Sequence, residues 1–462
     1  MNFMAALPGL ASAWIFGCAL VVLLWRQSER LSALELAAHG GLLGVGSVSL
    51  LVALLGREFR GAALLAAVLV CIVVTMALAI RKARVSRLLI GWPEGLSRRG
   101  RWLLAIPVLT TALVVLEANE FVFTGDGLFL WEFKARIALE NGGLPPQAYF
   151  TSLYLQDTHP NYPLCLPLAD VWLYLCHGGV DQGAAQALSA FLYLCICGVL
   201  GSLAWRFTHH PALAALAAAA PLGVPFLTHG PAGIFRGYVD YPLGACFAAA
   251  FGWTLLSARK GGQLPLAAAF ATLLPWWKTE GEILTAALGF AALAHSGFRD
   301  WRRGLVVIAP AVVVAVAWKL AMHVAGTLPQ DVFRPLSVAA LAEGAGRLGV
   351  ILTFFGKALL VSKNWGLVWM VAALALVQLV LQRRREAVTW GGTLILVLAA
   401  YTLPYMLTLR DLEWHLNTSA NRLLLQLVPT VILGAAIAAA QRWPRPRELS
   451  PEASVTGDAP TG

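Results

Sequence analysis

The chain has 462 residues, of which 59% are hydrophobic and 13% are charged, and its mean hydropathy is +0.71. A soluble domain carries about 25% charged residues, so this composition excludes a soluble enzyme and a disordered chain; the seven cysteines form no CxxC pair and no disulfide scaffold is indicated. The net charge of +10 is typical, in a membrane protein, of basic cytoplasmic loops rather than of nucleic-acid binding.

Long apolar runs recur along the whole sequence, and a transmembrane helix needs about 20 such residues. The pattern predicts an all-α, polytopic transmembrane helical bundle with about 13 spans. In chain order the predicted spans are residues 8–25, 35–55, 61–80, 102–123, 186–205, 211–228, 241–258, 264–278, 281–295, 305–325, 365–382, 389–408 and 423–440.

Basic clusters separate several of these spans, and the positive-inside rule assigns the clusters to the cytoplasm. This orientation predicts an outer N-terminus and a cytoplasmic C-terminus. Two cytoplasmic loops must be separated by an even number of crossings, so the apolar stretches 162–176 and 348–361 are predicted to be interfacial helices on the outer face rather than spans. The basic clusters are residues 81–101, 259–260, 299–303, 383–385 and 442–447.

The same features divide the chain into three parts. Residues 1–100 form an N-terminal extension of three spans that ends in a basic cytoplasmic loop. Residues 101–441 form the main transmembrane domain. The tail 442–462 is rich in proline, serine and charge, which predicts a disordered cytoplasmic end.

Polar residues on the predicted outer side gather in a few segments instead of being scattered. An ordinary solvated loop with an aromatic belt is one interpretation of each segment taken alone. Convergence of several segments favours a functional site, because ionisable groups are costly to hold at a membrane boundary. The segments are 124–161, 229–241, 275–282 and 409–422, with Arg334 in a further outer loop.

Several short motifs in these segments resemble the GT-C superfamily of polyprenyl-phosphate-dependent glycosyltransferases, in particular the bacterial relatives of protein O-mannosyltransferases and aminoarabinose transferases. The resemblance extends from about Arg101 to Gln441, and the first three spans have no counterpart in the family core. Thr279 stands where many relatives have asparagine. The motifs are Asp126, Trp131-Glu132-Phe133-Lys134-Ala135, His159 to Leu164, Gly237 to Leu243, Lys278-Thr279-Glu280-Gly281, and Trp414-His415 with Arg422.

The resemblance implies transfer of a sugar from a polyprenyl-phosphate donor to a glycan, lipid or protein acceptor of the cell envelope, with inversion at the anomeric carbon. Asp126 would be the general base. Asp240 would be a second catalytic carboxylate that orients the acceptor or binds a metal; the alternative is an N-cap for the span 241–258. The other predicted roles are donor-phosphate binding by Lys134, Lys278, Arg334, His415 and Arg422, and substrate binding by Glu280, His159 and Trp131.

No cofactor is specified by the sequence, although the acidic residues leave a divalent metal ion open. The predicted partners are the lipid-linked donor, the acceptor and membrane lipid, with no nucleic acid. The predicted location is the bacterial inner membrane, with the site facing the periplasm or exterior. The alternative function is a transporter or flippase of polyprenyl-linked sugars, which would hold its substrate near the middle of the bilayer.

Overall fold

The computed structural model describes residues 2–26, 30–92, 98–117, 121–257, 263–328 and 332–441. Helices account for 79% of the structure, which confirms the predicted all-α class. In the described residues the sheet consists of two short parallel strands, β1 (Leu31–Ser32) and β2 (Ile90–Gly91). The predicted disordered tail, 442–462, lies outside the described residues.

The first half of the chain provides the helices that precede the polar segment 229–241. They are α1 (Phe3–Leu24), α2 (Ala33–Leu55), α3 (Ala62–Ser86), α4 (Arg98–Glu117), α5 (Phe133–Glu140), α6 (Gln147–Thr151), α7 (Cys165–His177), α8 (Gln182–Thr208), α9 (Pro211–Ala219) and α10 (Pro225–Thr228).

The second half provides the helices that surround the other polar segments. They are α11 (Asp240–Leu256), α12 (Leu264–Trp277), α13 (Gly281–His295), α14 (Trp301–Val324), α15 (Val338–Ala345), α16 (Leu348–Leu360), α17 (Ser362–Trp365), α18 (Val368–Leu381), α19 (Gly392–Ala400), α20 (Leu403–Leu407) and α21 (Leu412–Ala440).

Among the described residues, 7 helical segments are long and apolar enough to cross a membrane, or 8 if the pair α15 and α16, bent by 64°, is one span. A multi-pass membrane protein is therefore supported, but the predicted 13 spans are not confirmed. Proline interrupts the predicted span 211–228 at Pro221 and Pro225, and α12, α13 and α18 have only 14 or 15 residues. The long segments are α1, α2, α3, α8, α14, residues 387–407 and α21.

The helices of the N-terminal extension pack into the rest of the bundle. Gly17 of α1 meets Gly40 and Gly44 of α2 so closely that a β-carbon at Gly17 would collide with backbone atoms. Small residues permit this approach of helices in membranes. Both α1 and α2 also pack against α7 and α8.

The stretch 162–176 differs from the predicted interfacial helix. Its helix begins at Cys165, and every residue from Cys165 to Tyr174 is buried. The helix packs against α1, α2 and α5. An interfacial helix would leave its polar face to water and its apolar face to lipid, whereas α7 is enclosed by protein.

Two contacts position the polar segments next to each other. Gly244 of α11 lies directly against the backbone of Gln426 in α21, and a β-carbon there would overlap the carbonyl oxygen of Gln426. This approach brings the first residue of α11 beside the third turn of α21. The short helices α12 and α13 form a hairpin whose turn, Lys278 to Glu280, meets the same place.

Candidate active site

Five charged side chains from four separate segments form one network, called here the charged cluster: Asp126, Arg422, Asp240, Lys278 and Glu280, in order of contact. Nη1 of Arg422 lies 2.5 Å from Oδ2 of Asp126, and its Nε lies 3.1 Å from Oδ2 of Asp240. Nζ of Lys278 lies 2.9 Å from Oδ1 of Asp240 and 2.8 Å from Oε1 of Glu280. Negative and positive groups therefore alternate along the network.

Asp240 is the buried centre of this cluster. Its side chain is 0% exposed and accepts hydrogen bonds from Arg422, from Lys278 and from Nε2 of Gln426, the last at 2.7 Å. Such donors offset the cost of burying a carboxylate. Asp240 does not cap its helix, because Val239 occupies the N-cap position and no side chain caps it. The N-cap interpretation of Asp240 is therefore wrong.

Asp126 lies at the open end of the cluster. Its side chain is 34% exposed, against 19% for Glu280 and 0% for Asp240. Gly125, with φ of 53°, turns the chain before it, and the backbone N–H of Asp126 donates to the hydroxyl of Tyr238 at 3.1 Å. Asp126 is thus the carboxylate of the cluster that an incoming molecule can most readily reach.

Lys134 is a buried cation beside the cluster. Its ammonium group donates to the carbonyl oxygen of His159 at 2.8 Å and lies 5.1 Å and 5.5 Å from the ring centres of Trp131 and Tyr162. It forms no ion pair within the described part of the chain. Burial lowers the pKa of Lys134 to about 7, and the Asp126 carboxylate opposes that shift. A buried cation in this setting is suited to an anionic ligand, which would supply the missing counter-charge.

Three aromatic rings stack next to Lys134. The Tyr162 ring is 4.7 Å from that of His159, at 15° between planes, and 6.0 Å from that of Trp131, at 27°. Burial, reinforced by the Glu280 carboxylate, raises the pKa of Tyr162 to about 12. The Tyr162 hydroxyl therefore stays protonated at neutral pH and remains a hydrogen-bond donor.

Arg334 and His415 lie in a different group of contacts. Arg334 forms an ion pair with Glu343, and its backbone N–H donates to the carbonyl of Leu407 at 2.9 Å. Nδ1 of His415 is 3.0 Å from the hydroxyl of Thr408. The His415 ring packs against Phe333, the residue before Arg334. Of the five predicted phosphate ligands, Lys278 and Arg422 meet in the charged cluster, Lys134 lies beside it, and these two do not join it.

The side chains around Asp126 and Asp240 show whether these carboxylates could bind a divalent metal ion. In the ranges that the structure describes, no three His, Cys, Asp or Glu side chains come together to hold an ion. Asp126 and Asp240 both give an oxygen to Arg422, so a guanidinium group occupies the position between them. The two predicted catalytic carboxylates therefore do not fit a divalent metal.

Sequence reasoning missed several members of the site. Tyr162 and Tyr238 stand inside motifs that carried the family resemblance, so they were available as candidates. Gln426 and Tyr401 had no such signal: Gln426 lies in an apolar span, and its amide oxygen accepts from the Tyr401 hydroxyl at 2.5 Å. A single polar residue one helical turn after Arg422 was the available hint.

Comparison of the chain with protein-family models, with curated proteins and with solved structures finds no match.

Proposed function

We propose that the chain is an integral-membrane, inverting glycosyltransferase that moves a sugar from a polyprenyl-phosphate donor to a cell-envelope acceptor. Its site would face the periplasm or exterior of a bacterial inner membrane. One observation carries the proposal: carboxylates and cations from four distant segments meet in the charged cluster. Charges are costly near a membrane and are retained mainly where they are used.

Asp126 acts as the general base. The acceptor hydroxyl oxygen attacks the anomeric carbon while its proton passes to the Asp126 carboxylate. The bond from the anomeric carbon to the phosphate oxygen breaks in the same displacement, and polyprenyl phosphate leaves with that electron pair. A single displacement inverts the configuration and needs one base, by the geometry that applies to inverting glycosidases. The partial exposure of Asp126 supports this role.

The cations stabilise the leaving phosphate. Negative charge grows on its oxygens as the sugar departs, so cations fixed nearby favour the transition state over the ground state. Arg422 is suited to bidentate hydrogen bonding with phosphate, whereas Lys278 and Lys134 act as point charges. Asp240 is a positioning residue in this scheme, because it binds both Arg422 and Lys278 and is itself fully buried.

The aromatic stack suits the sugar. His159 and Tyr162 are partly exposed, and flat rings pack against the apolar faces of sugar rings. Trp131 is only 1% exposed and packs against Tyr162, so the direct contact with substrate that was predicted for Trp131 is wrong. Glu280 has one oxygen on Lys278 and the other on the hydroxyl of Thr279 at 3.1 Å. Its partial exposure suits it to accept a bond from a sugar hydroxyl.

The rise of α12 can be compared with the position of the binding site that the alternative function, transport, requires. α12 starts beside Gln263, whose side chain bonds the backbone of Arg26 just after the first long helix. Its 14 residues rise about 21 Å, which is less than the thickness of a hydrocarbon core, about 30 Å. A rise of about 21 Å would end about 6 Å past the middle of such a core, and a transporter also holds its substrate near the middle, so the length of α12 does not separate the two functions.

The bent pair α15 and α16 favours the second candidate, because transporters commonly use discontinuous helices. Proteoliposomes containing purified protein separate the two functions. Labelled polyprenyl-phosphate sugars and cell-envelope extract are supplied, and the transferase should release free polyprenyl phosphate with labelled acceptor. Movement of intact donor across the bilayer, without release, would instead support transport.

Binding of undecaprenyl phosphate to the purified protein is expected to weaken, relative to its binding to Lys134→Arg, as the pH rises from one unit below the pKa of Lys134, about 7, to one unit above it. The ammonium group is charged below its pKa and neutral above it, so attraction to the phosphate is lost as the pH rises. In Lys134→Arg the guanidinium group stays charged throughout. Ionisation of the phosphate itself affects both proteins alike. Thermophoresis should therefore show the ratio of wild-type to Lys134→Arg affinity falling as the pH rises, and a constant ratio would contradict a phosphate-binding role for Lys134.

A further inference from the structure

Two neighbouring apolar side chains stand out on the predicted outer side of the protein. Leu153 is 77% exposed and Tyr154 is 98% exposed. They begin a 3₁₀ helix, Leu153–Thr158, that follows α6. Single exposed apolar residues are common and need no explanation, but here two large ones stand next to each other at the end of a turn.

Hydrogen bonds fix the backbone of this turn. Nε2 of Gln156 donates to the carbonyl of Ser152 at 2.7 Å, and the hydroxyl of Thr158 donates to the carbonyl of Leu155 at 2.6 Å. The hydroxyls of Tyr149 and Thr158 lie 2.8 Å apart. The exposure of Leu153 and Tyr154 is therefore built into the turn.

The segment 147–162 is fastened to α14 near both of its ends. Cγ2 of Thr151 lies 3.6 Å from the position that a β-carbon on Gly326, just past α14, would take. Nε1 of Trp318 in α14 donates to the carbonyl of Asn161 at 2.9 Å. The turn therefore sits directly beside the end of that helix.

That end of α14 presents an apolar surface. Val316, Leu320 and Val324 are all exposed on it, and α14 is one of the helices long and apolar enough to span the membrane. In a spanning helix such a face meets lipid tails. The segment that carries the exposed Leu153 and Tyr154 contacts this helix at the same end, through Thr151 and Asn161.

We propose that Leu153 and Tyr154 form a lipid-contacting tip that enters the interfacial region of the adjacent bilayer leaflet. The occupant of this surface is membrane lipid. Tyrosine suits that region, because its ring is apolar and its hydroxyl can stay hydrated. The tip is also connected to the candidate site, because the same segment contains His159, whose carbonyl oxygen accepts the hydrogen bond of Lys134. The proposal does not depend on the chemistry of the charged cluster.

Photo-cross-linking tests the tip directly. The photoreactive p-benzoylphenylalanine is placed at Tyr154, or at Asp157 as a control, and the protein is reconstituted in nanodiscs of phosphatidylethanolamine and phosphatidylglycerol. Asp157 is also exposed and lies on the same 3₁₀ helix. After illumination, mass spectrometry counts lipid adducts at each position. A several-fold excess of adducts at position 154 is expected.

Equal yields at the two positions, or adducts only to protein, would overturn the proposal. Because Tyr154 is almost fully exposed, its replacement removes no packing contact that folding requires. The same photoreactive residue at position 153 provides an independent measurement, and it should also give more lipid adducts than position 157.

Discussion

Asp126→Asn is expected to lower sugar transfer by about 10²- to 10⁴-fold, the usual contribution of a general base. Asparagine has nearly the same shape but cannot accept the proton of the acceptor hydroxyl. Complementation of a deletion strain, followed by mass spectrometry of its envelope glycans, measures the effect in cells. Membranes with a radiolabelled polyprenyl-phosphate sugar measure it in vitro.

The matched control is Asp157→Asn, which removes an exposed carboxylate from the same outer loop. It should retain wild-type transfer. Asp126 also pairs with Arg422, so the thermal stability of Asp126→Asn is measured in parallel to separate loss of chemistry from loss of fold. Undiminished transfer by a correctly folded Asp126→Asn protein would rule out Asp126 as the base.

Asp240→Ala is expected to destabilise the protein by about 3–5 kcal/mol, the cost of leaving a buried charge without its partner. Lys278 and Arg422 would both lose a carboxylate that they share, at a position that is 0% exposed. Tryptophan fluorescence during heating in one detergent gives the shift in unfolding temperature. Asp240→Asn keeps the shape and should fall between the wild type and the alanine variant.

Glu282→Ala provides the control for that experiment. Glu282 pairs with Lys319 at 2.5 Å, but both side chains are open to the surroundings. Glu282 is 35% exposed, against 0% for Asp240, so this variant should shift the unfolding temperature less than Asp240→Ala does. Equal shifts for Asp240→Ala and Glu282→Ala would show that the charged cluster does not hold the bundle together.

The sequence predicted the helical class and the polar segments well, because hydropathy and charge are local properties. It did not predict how many helices are long enough to span. Helix ends at Trp277 and Gly281 depend on the turn between them, and the interruptions after Ala219 depend on two prolines within an otherwise apolar run.

In the candidate site, too, the individual residues could be predicted from the sequence but their contacts could not. Asp126, Asp240, Lys278 and Arg422 could be selected as candidates because charge in an apolar chain is conspicuous. Their pairings could not be predicted, since Arg422 reaches Asp240 only where the backbones of α11 and α21 approach at Gly244. Arg334 looked equivalent in sequence, yet the fold pairs it with Glu343 instead.

The shortness of the α12–α13 hairpin links this protein to the lipids around it. The 14 residues of α12 place the charged cluster about 21 Å from the start of that helix, whereas the hydrocarbon thickness changes with acyl-chain length. Hydrophobic mismatch costs fractions of a kcal/mol per ångström. Longer acyl chains would therefore increase the distance between the charged cluster and the outer headgroups, and shorter acyl chains would reduce it. Turnover should accordingly follow the acyl-chain length of the host bilayer, even where headgroup composition is constant.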